Sequence, residues 1–156
     1  MGKRYFLPSV LVVVFLTGCG KDQTVSEASL QGAERVSAHI WQLEHFVEGR
    51  FRQGVVNDTE VTLAFSLVGD VGIHGQSSCN FYGASMTITG NRLDLGPIHM
   101  TEMLCLNVPG AMEQEARYLK VLQSVRTFQV QDDHLTLFDT LGNPVLMFSS
   151  KIALSL

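Results

Sequence analysis

Alternating hydrophobic and polar positions characterise the chain from residue 40 onward and predict β-strands. In EVTLAFSLVGD (60–70), every second residue from Val61 to Leu67 is apolar, and Thr62 and Ser66 occupy the opposite face. Successive side chains of a strand point to opposite faces, so this alternation is typical of a strand that is buried on one side. Similar patterns predict further strands at 40–46, 71–76, 84–89, 92–95, 126–131, 134–139 and 145–149.

Pairs of turn-forming residues separate several of these strands. Gly90-Asn91 predicts a two-residue hairpin turn, and Gly69-Asp70 predicts another between the strands at 60–70 and 71–76. Asp132-Asp133 lies between two further strands. Adjacent side chains on a strand would point to opposite faces, and aspartates are common in turns. We therefore interpret these two aspartates as turn residues and not as paired catalytic carboxylates.

A single segment, PGAMEQEARYLKVLQSV (109–125), has helical periodicity. Its apolar residues recur at spacings of four, three and three, which places them on one face of a helix: Met112, Ala116, Leu119 and Leu122. Pro109 near the start and acidic residues in the first turn are typical of a helix N-terminus. One α-helix and many short strands predict a mainly β domain, whose antiparallel sheet curls or closes into a small barrel and so leaves few exposed edges.

The first 18 residues have the pattern of a secretory signal peptide, with two basic residues before a short apolar run. The run is shorter than the roughly 20 apolar residues of a membrane-spanning helix. It ends in Leu16-Thr17-Gly18-Cys19, which resembles the lipobox of bacterial lipoproteins. The resemblance implies that the Cys19 thiol receives a diacylglyceryl group, that residues 1–18 are removed, and that the new amino terminus is acylated, as with palmitate.

A lipid on Cys19 would attach the protein to a membrane, because several acyl chains hold a protein far more firmly than one chain does. Gly20 stands where many inner-membrane lipoproteins of Gram-negative bacteria carry aspartate, which favours the outer membrane and its periplasmic face. Residues 19–38 are small and polar and predict a lipidated flexible tether, with a short amphipathic helix around Leu30–Val36 as the alternative. The folded domain is predicted at 39–156.

Composition and motifs exclude several classes of function. The formal net charge is −4, and no basic run follows the first residues, so we expect no nucleic-acid partner. The chain has no G-x-S-x-G motif, and its glycines do not form a phosphate-binding loop followed by a helix. The sequence therefore predicts a protein that is not an enzyme and has no cofactor.

Two cysteines, Cys79 and Cys105, remain beside the lipobox cysteine. In an oxidising compartment an even pair predicts a disulfide first. Free thiols are one alternative, and a Cys₂His₂ metal site with His74 and His99 is another. The close pairs of ligands that zinc sites favour are absent, so we expect no metal.

The motifs around these cysteines resemble, in order, those of the META domain family, which includes the HslJ-type heat-shock lipoproteins. The family patterns are an opening W-x-L, then G-C-N-x-Y-x-G, then T-x-M-A-C, and an acidic motif in the helix. The second motif departs from the family at Ser78, where glycine is usual, and lacks one residue before its closing glycine. The matching residues are Trp41, Leu43, Cys79, Asn80, Tyr82, Gly83, Thr101, Met103, Cys105 and Glu113.

The resemblance implies a small β-barrel of lipocalin-like topology with one helix, and it supports the disulfide by placing both cysteines at paired motif positions. It implies no reaction, because the family has no agreed catalytic residues. Two functions are compatible with it. The domain is an interaction or stress-response module that binds envelope proteins, or the barrel binds a small apolar ligand or peptide.

The inward face of the barrel distinguishes these two functions. We expect a filled core without room for a ligand, in which six apolar residues close on Trp41 and the helix: Leu63, Phe65, Leu67, Met86, Ile88 and Phe128. A module that inhibits an envelope-attacking hydrolase would need an exposed rigid loop. The disulfide-tied loop at 76–83 is the candidate for that loop.

Overall fold

The computed structural model of the protein describes residues 32–153. Predictions that concern residues 1–31, including the signal peptide, Cys19 and most of the tether, lie outside the described residues. The elements are, in chain order, β1 (His39–Glu48), β2 (Phe51–Gly54), β3 (Thr62–Ser66), β4 (Gly72–Gln76), β5 (Phe81–Thr89), β6 (Arg92–Leu95), β7 (His99–Met100), α1 (Ala111–Ser124), β8 (Thr127–Gln131), β9 (His134–Phe138) and β10 (Pro144–Ala153).

Eight of the strands form a closed antiparallel barrel. They follow the order β1-β3-β4-β5-β6-β8-β9-β10, and β10 pairs again with β1 from His39↔Ala153 to Phe46↔Leu146. The short strands β2 and β7 lie outside this circle, and they pair with β1 and β5. The predicted mainly β fold with one main helix is confirmed, and the sheet closes instead of only curling.

Side chains fill the interior of the barrel, as they do in other eight-stranded barrels. Trp41 is fully buried, and most of the predicted core residues are buried around it; Leu67 and Ile88 are only partly buried. Tyr118 and Leu122 of α1 belong to the same cluster. The filled core predicted from the sequence is therefore present.

The turns agree only in part with the prediction. Gly90-Asn91 and Asp132-Asp133 each connect two strands directly, and Gly90 and Asp132 have the positive φ values of 65° and 52° that such turns require. The predicted turn at Gly69-Asp70 is wider, because β3 ends at Ser66 and residues 67–71 all belong to the connection. The short strands β2 and β7 were not predicted, because β2 is exposed at every position and β7 has only two residues.

Helix α1 lies where the sequence predicts it but buries a different face. The buried residues are Ala111, Gln114, Glu115, Tyr118 and Leu122, and the predicted core residue Ala116 is exposed. The predicted apolar face is therefore only partly right: Leu122 is buried and Leu119 packs against the core, whereas Ala116 is exposed. The reason is that Gln114 and Glu115 form hydrogen bonds with loops of the barrel, which turns their side of the helix inward.

The packed part of the chain begins before residue 39. Residues 32–37 are helical, so this part of the predicted tether is ordered and agrees with the alternative of a short helix. Val36 is fully buried, and its carbonyl accepts a hydrogen bond of 2.8 Å from the Trp41 indole nitrogen. A buried indole N–H needs such a partner, which explains why the helix joins the core. Within residues 32–153, no helix is long and apolar enough to span a membrane.

Candidate functional site

The two cysteines of the family motifs form a disulfide. Cys79 lies in the connection between β4 and β5, Cys105 lies in the segment before α1, and their Cα atoms are 5.8 Å apart. The predicted disulfide is confirmed, and the Cys₂His₂ alternative is wrong because neither cysteine is free to bind a metal. The bond closes a loop with a sequence separation of 26. A loop of this length restricts the unfolded chain by about 3.5 kcal/mol in the chain-entropy model.

A buried carboxylate organises the loop that contains Cys79. Glu115 is 2% exposed, and its Oε2 accepts hydrogen bonds from Ser77 Oγ at 2.7 Å and from the Asn80 backbone N–H at 2.8 Å. The Cys79 backbone N–H donates a longer bond of 3.3 Å to the same atom. Because Glu115 lies in the second turn of α1, it brings these donors to the helix and holds the β4–β5 connection against it.

Asn80 links the same carboxylate to the segment before α1. Its Nδ2 donates to Glu115 Oε1 at 2.8 Å and to the Met103 carbonyl at 3.2 Å. Its Oδ1 accepts from Thr101 Oγ1 at 2.8 Å and from the Met103 N–H at 2.7 Å. A carboxamide has two donor hydrogens and two acceptor lone pairs, so this fully buried side chain uses all of its hydrogen-bonding capacity.

Gln114 makes a second, adjacent connection. Its Oε1 accepts from the Val56 N–H at 2.7 Å, and its Nε2 donates to Thr59 Oγ1 and Ser78 Oγ. Ser78 has a φ of 90°, in the region that glycine adopts more easily than other residues. This conformation explains why glycine is usual at the position, and the hydrogen bond from Gln114 to Ser78 Oγ offsets part of the strain.

Two buried tyrosines join α1 to the barrel wall. The Tyr82 and Tyr118 hydroxyl oxygens are 2.7 Å apart, and Tyr82 donates to the Thr62 carbonyl at 2.8 Å, so Tyr118 donates to Tyr82. Burial raises the pKa of Tyr82 well above 10.0, and the proximity of Tyr118 raises it further. Burial also raises the pKa of Tyr118. Both phenols are therefore neutral at physiological pH and act as structural hydrogen-bonding groups.

The structure brings most of the predicted motif residues together. Cys79, Asn80, Thr101, Met103 and Cys105 belong to the network around Glu115. Trp41 and Leu43 are core residues, Tyr82 belongs to the tyrosine pair, and Gly83 is buried in β5.

Glu113 is exposed and lies outside the network. The carboxylate that organises the loop is Glu115, which belongs to the same acidic motif of the helix but was not predicted as a site residue. Gln114 was missed as well, and the hydrogen bond of Tyr118 to Tyr82 was not predicted. Gln114 and Tyr118 are four residues apart and so lie on one helix face, which the sequence could have indicated. The apolar residues of the helix have an equally regular spacing and predicted a different buried face.

Hydrogen bonds satisfy the buried polar side chains of this arrangement. Within residues 32–153, every buried side-chain nitrogen and oxygen has a hydrogen-bond partner. The same part of the chain contains no group of three His, Cys, Asp or Glu side chains placed to hold one metal ion. The residues of the motifs thus form a hydrogen-bond network that joins α1, the β4–β5 connection and the segment after β7.

The segment after β7 is the exposed part of this arrangement. Met103, Leu104 and Leu106 are 47%, 75% and 81% exposed. The loop at 76–83, which the sequence suggested as an exposed rigid loop, is mostly buried at its centre, with Ser77 and Asn80 fully covered. The suggestion is therefore wrong for that loop. The more exposed loop is the other side of the disulfide, because Glu115 of α1 holds Ser77 and Asn80 of the first side, where Phe81 is the exposed residue.

The sequence matches the model of the META domain over residues 34–152, which is most of the chain. The chain belongs to the META domain family. No curated protein matches it. The fold is similar to that of a protein from Burkholderia xenovorans solved by NMR, with a TM-score of 0.64, 23% identity, and coverage of 78% of this chain and 87% of that one. A second NMR structure has a TM-score of 0.56, 20% identity, and coverage of 76% and 93%. These similarities concern the fold.

Proposed function

We propose that this META-domain protein is a membrane-anchored bacterial envelope lipoprotein whose folded domain is a non-catalytic interaction or stress-response module. The anchor is the lipid on Cys19, and the location is the outer membrane, facing the periplasm. The lipobox-like sequence supports the anchor. The disulfide between Cys79 and Cys105 fits an oxidising compartment.

The main support for an interaction role is an exposed apolar segment, residues 100–106, which we call the arm. Met100, Met103, Leu104 and Leu106 are each at least 45% exposed, although the chain around them is firmly attached to the barrel. Clustered exposed apolar side chains typically mark an interaction surface.

Attachment of the arm to the barrel also supports binding. Its backbone pairs with β5 at Tyr82↔Met100, and Asn80 holds both polar backbone groups of Met103. The disulfide fixes the arm at Cys105. A surface that is ordered before binding loses less conformational entropy on association, which favours affinity.

The alternative function, a barrel that binds an apolar ligand in its interior, has weaker support. The inward positions are occupied by large side chains, and Trp41, Tyr118 and Phe148 are fully buried among them. A ligand inside the barrel would have to displace these side chains, and the loss of their packing would cost more than most small ligands return.

The interaction is tested by cross-linking in intact cells with the double substitution Leu104→Asp and Leu106→Asp. Leu141→Asp is the matched control, because Leu141 is 84% exposed and lies in the β9–β10 connection. We expect a defined cross-linked protein with the wild type and the control, and its loss with the double variant. An identical set of cross-links in all three would overturn the role of the arm.

The anchor is tested separately by fractionation. Cys19→Ser is expected to deplete the protein from the outer-membrane fraction, because the lipid attachment site is removed. Retention of the variant in the outer membrane, at the level of the wild type, would contradict the proposed attachment.

A further inference from the structure

Two histidines lie in one row on the outer face of the barrel. His74 of β4 pairs with Gly83 of β5, and Gly83 pairs with His99 of β7. Residues paired across neighbouring strands point to the same face of a sheet. Both histidines are exposed, so the two imidazoles are on the same side of the sheet with a glycine between them.

Gly83 allows the His99 ring to lie across the middle strand. A Cβ atom at Gly83 would be 2.9 Å from His99 Nε2 and 3.2 Å from His99 Cε1. The far edge of the ring therefore occupies the space above β5, on the side from which His74 projects. Any other residue at position 83 would place a side chain in that space.

The two histidines also share a groove. It has a volume of about 620 Å³, and its lining includes Asp70, His74, Ser85 and His99. No lysine or arginine lines it, and Asp70 contributes a negative charge. The groove therefore favours a positively charged ligand, and both imidazole side chains line it.

We propose that His74 and His99 bind a divalent transition-metal ion in this groove. Imidazole nitrogens bind such ions at about 2.0–2.1 Å and suit copper, nickel and zinc, with copper(II) bound most tightly. Two strand spacings of about 4.8 Å separate the backbones of β4 and β7, a span that two inclined imidazoles bridge through one ion. Two protein ligands leave the remaining coordination positions to water, so the bound ion exchanges with solution.

This site differs from the Cys₂His₂ set considered from the sequence, because the cysteines take no part in it. It is also independent of the proposed interaction role, because the exposed apolar side chains of the arm are not among the residues that line the groove. Failure of one proposal therefore leaves the other unchanged.

The proposal is tested by calorimetric titration of the full-length protein with Cu²⁺. The protein carries Cys19→Ser, which removes the one cysteine that is not in the disulfide. We expect one ion per chain, and electron paramagnetic resonance should show coordination by two nitrogens. His74→Ala and His99→Ala should each weaken binding at least tenfold. His134→Ala is the matched control, since His134 is an exposed strand histidine elsewhere in the barrel.

Gly83→Ala provides a test of geometry with both ligands retained. The added methyl group contacts only the His99 ring closely, so the ring is displaced while the fold is kept. We expect weaker binding than in the wild type. The proposal is wrong if Cu²⁺ does not bind, if only one of the two histidines affects affinity, or if His134→Ala weakens binding as much as they do. Thermal unfolding of each variant confirms that the fold is intact.

Discussion

Replacement of Glu115 by glutamine tests whether one carboxylate organises the hydrogen-bond network between α1, the β4–β5 connection and the segment after β7. The carboxylate accepts three bonds at Oε2 and one at Oε1. Glutamine has one oxygen and one NH₂ group. If its oxygen takes the position of Oε2, its NH₂ group faces the NH₂ group of Asn80, and two donors oppose each other. The reverse orientation places the NH₂ group against three donors and is worse.

The magnitude follows from the better orientation. One hydrogen bond to a charged group is lost, worth about 1.5–3 kcal/mol, and the remaining bonds lose their charge assistance. We expect the free energy of unfolding to fall by about 2–4 kcal/mol in Glu115→Gln. Glu113→Gln is the matched control, because Glu113 is exposed in the first turn of the same helix. Its loss should be about 0.5 kcal/mol, as for most surface substitutions.

Urea unfolding of the oxidised protein measures the difference. With a slope of about 2 kcal/mol per molar urea, the midpoint of Glu115→Gln should fall by roughly 1–2 M. The slope itself should not change, because the unfolded chain exposes the same surface. If Glu115→Gln and Glu113→Gln unfold at the same urea concentration, the carboxylate does not hold the β4–β5 connection, and the reasoning is refuted.

Three further predictions follow from the same region. Replacing Cys79 and Cys105 by alanine should lower the free energy of unfolding by about 3.5 kcal/mol, and an unchanged urea midpoint would contradict this. Ser78→Ala should destabilise by about 1 kcal/mol because it loses the hydrogen bond from the glutamine side chain, whereas Ser78→Gly should be within about 1 kcal/mol of the wild type because it relieves the positive φ. The raised pKa values of Tyr82 and Tyr118 mean that their stabilisation is complete below pH 10 and is lost as the pH rises further. Tyrosinate absorbance should therefore show that Tyr82 and Tyr118 ionise only with alkaline unfolding.

The barrel strands could be predicted from the sequence because burial on one face imposes a period of two. In β3, the residues predicted to face inward include Leu63 and Phe65, and both are buried. The same logic failed for α1, since it assumes that apolar side chains face the core. Gln114 and Glu115 are buried because the loops of the barrel present N–H and hydroxyl groups that need acceptors. Those donors come from distant parts of the chain, so no local pattern reveals them.

The exposed arm could not be predicted for a related reason. The sequence identified the disulfide but not which of its two sides is covered by the rest of the molecule. Both sides contain large apolar residues near a cysteine, such as Tyr82, which is buried, and Leu104, which is exposed. Burial of one side depends on where α1 packs, and that position is set by the hydrogen bonds of Glu115.

Closure of the barrel has a consequence for biosynthesis. The first strand, β1, pairs along most of its length with the last strand, β10. A chain that is synthesised from its amino terminus therefore presents β1 long before its partner exists. Contacts between residues so far apart in sequence form slowly, and an unpaired apolar strand is prone to association with other chains. Termination before β10 is made would leave this edge of β1 unpaired, so closure of the barrel requires synthesis through β10.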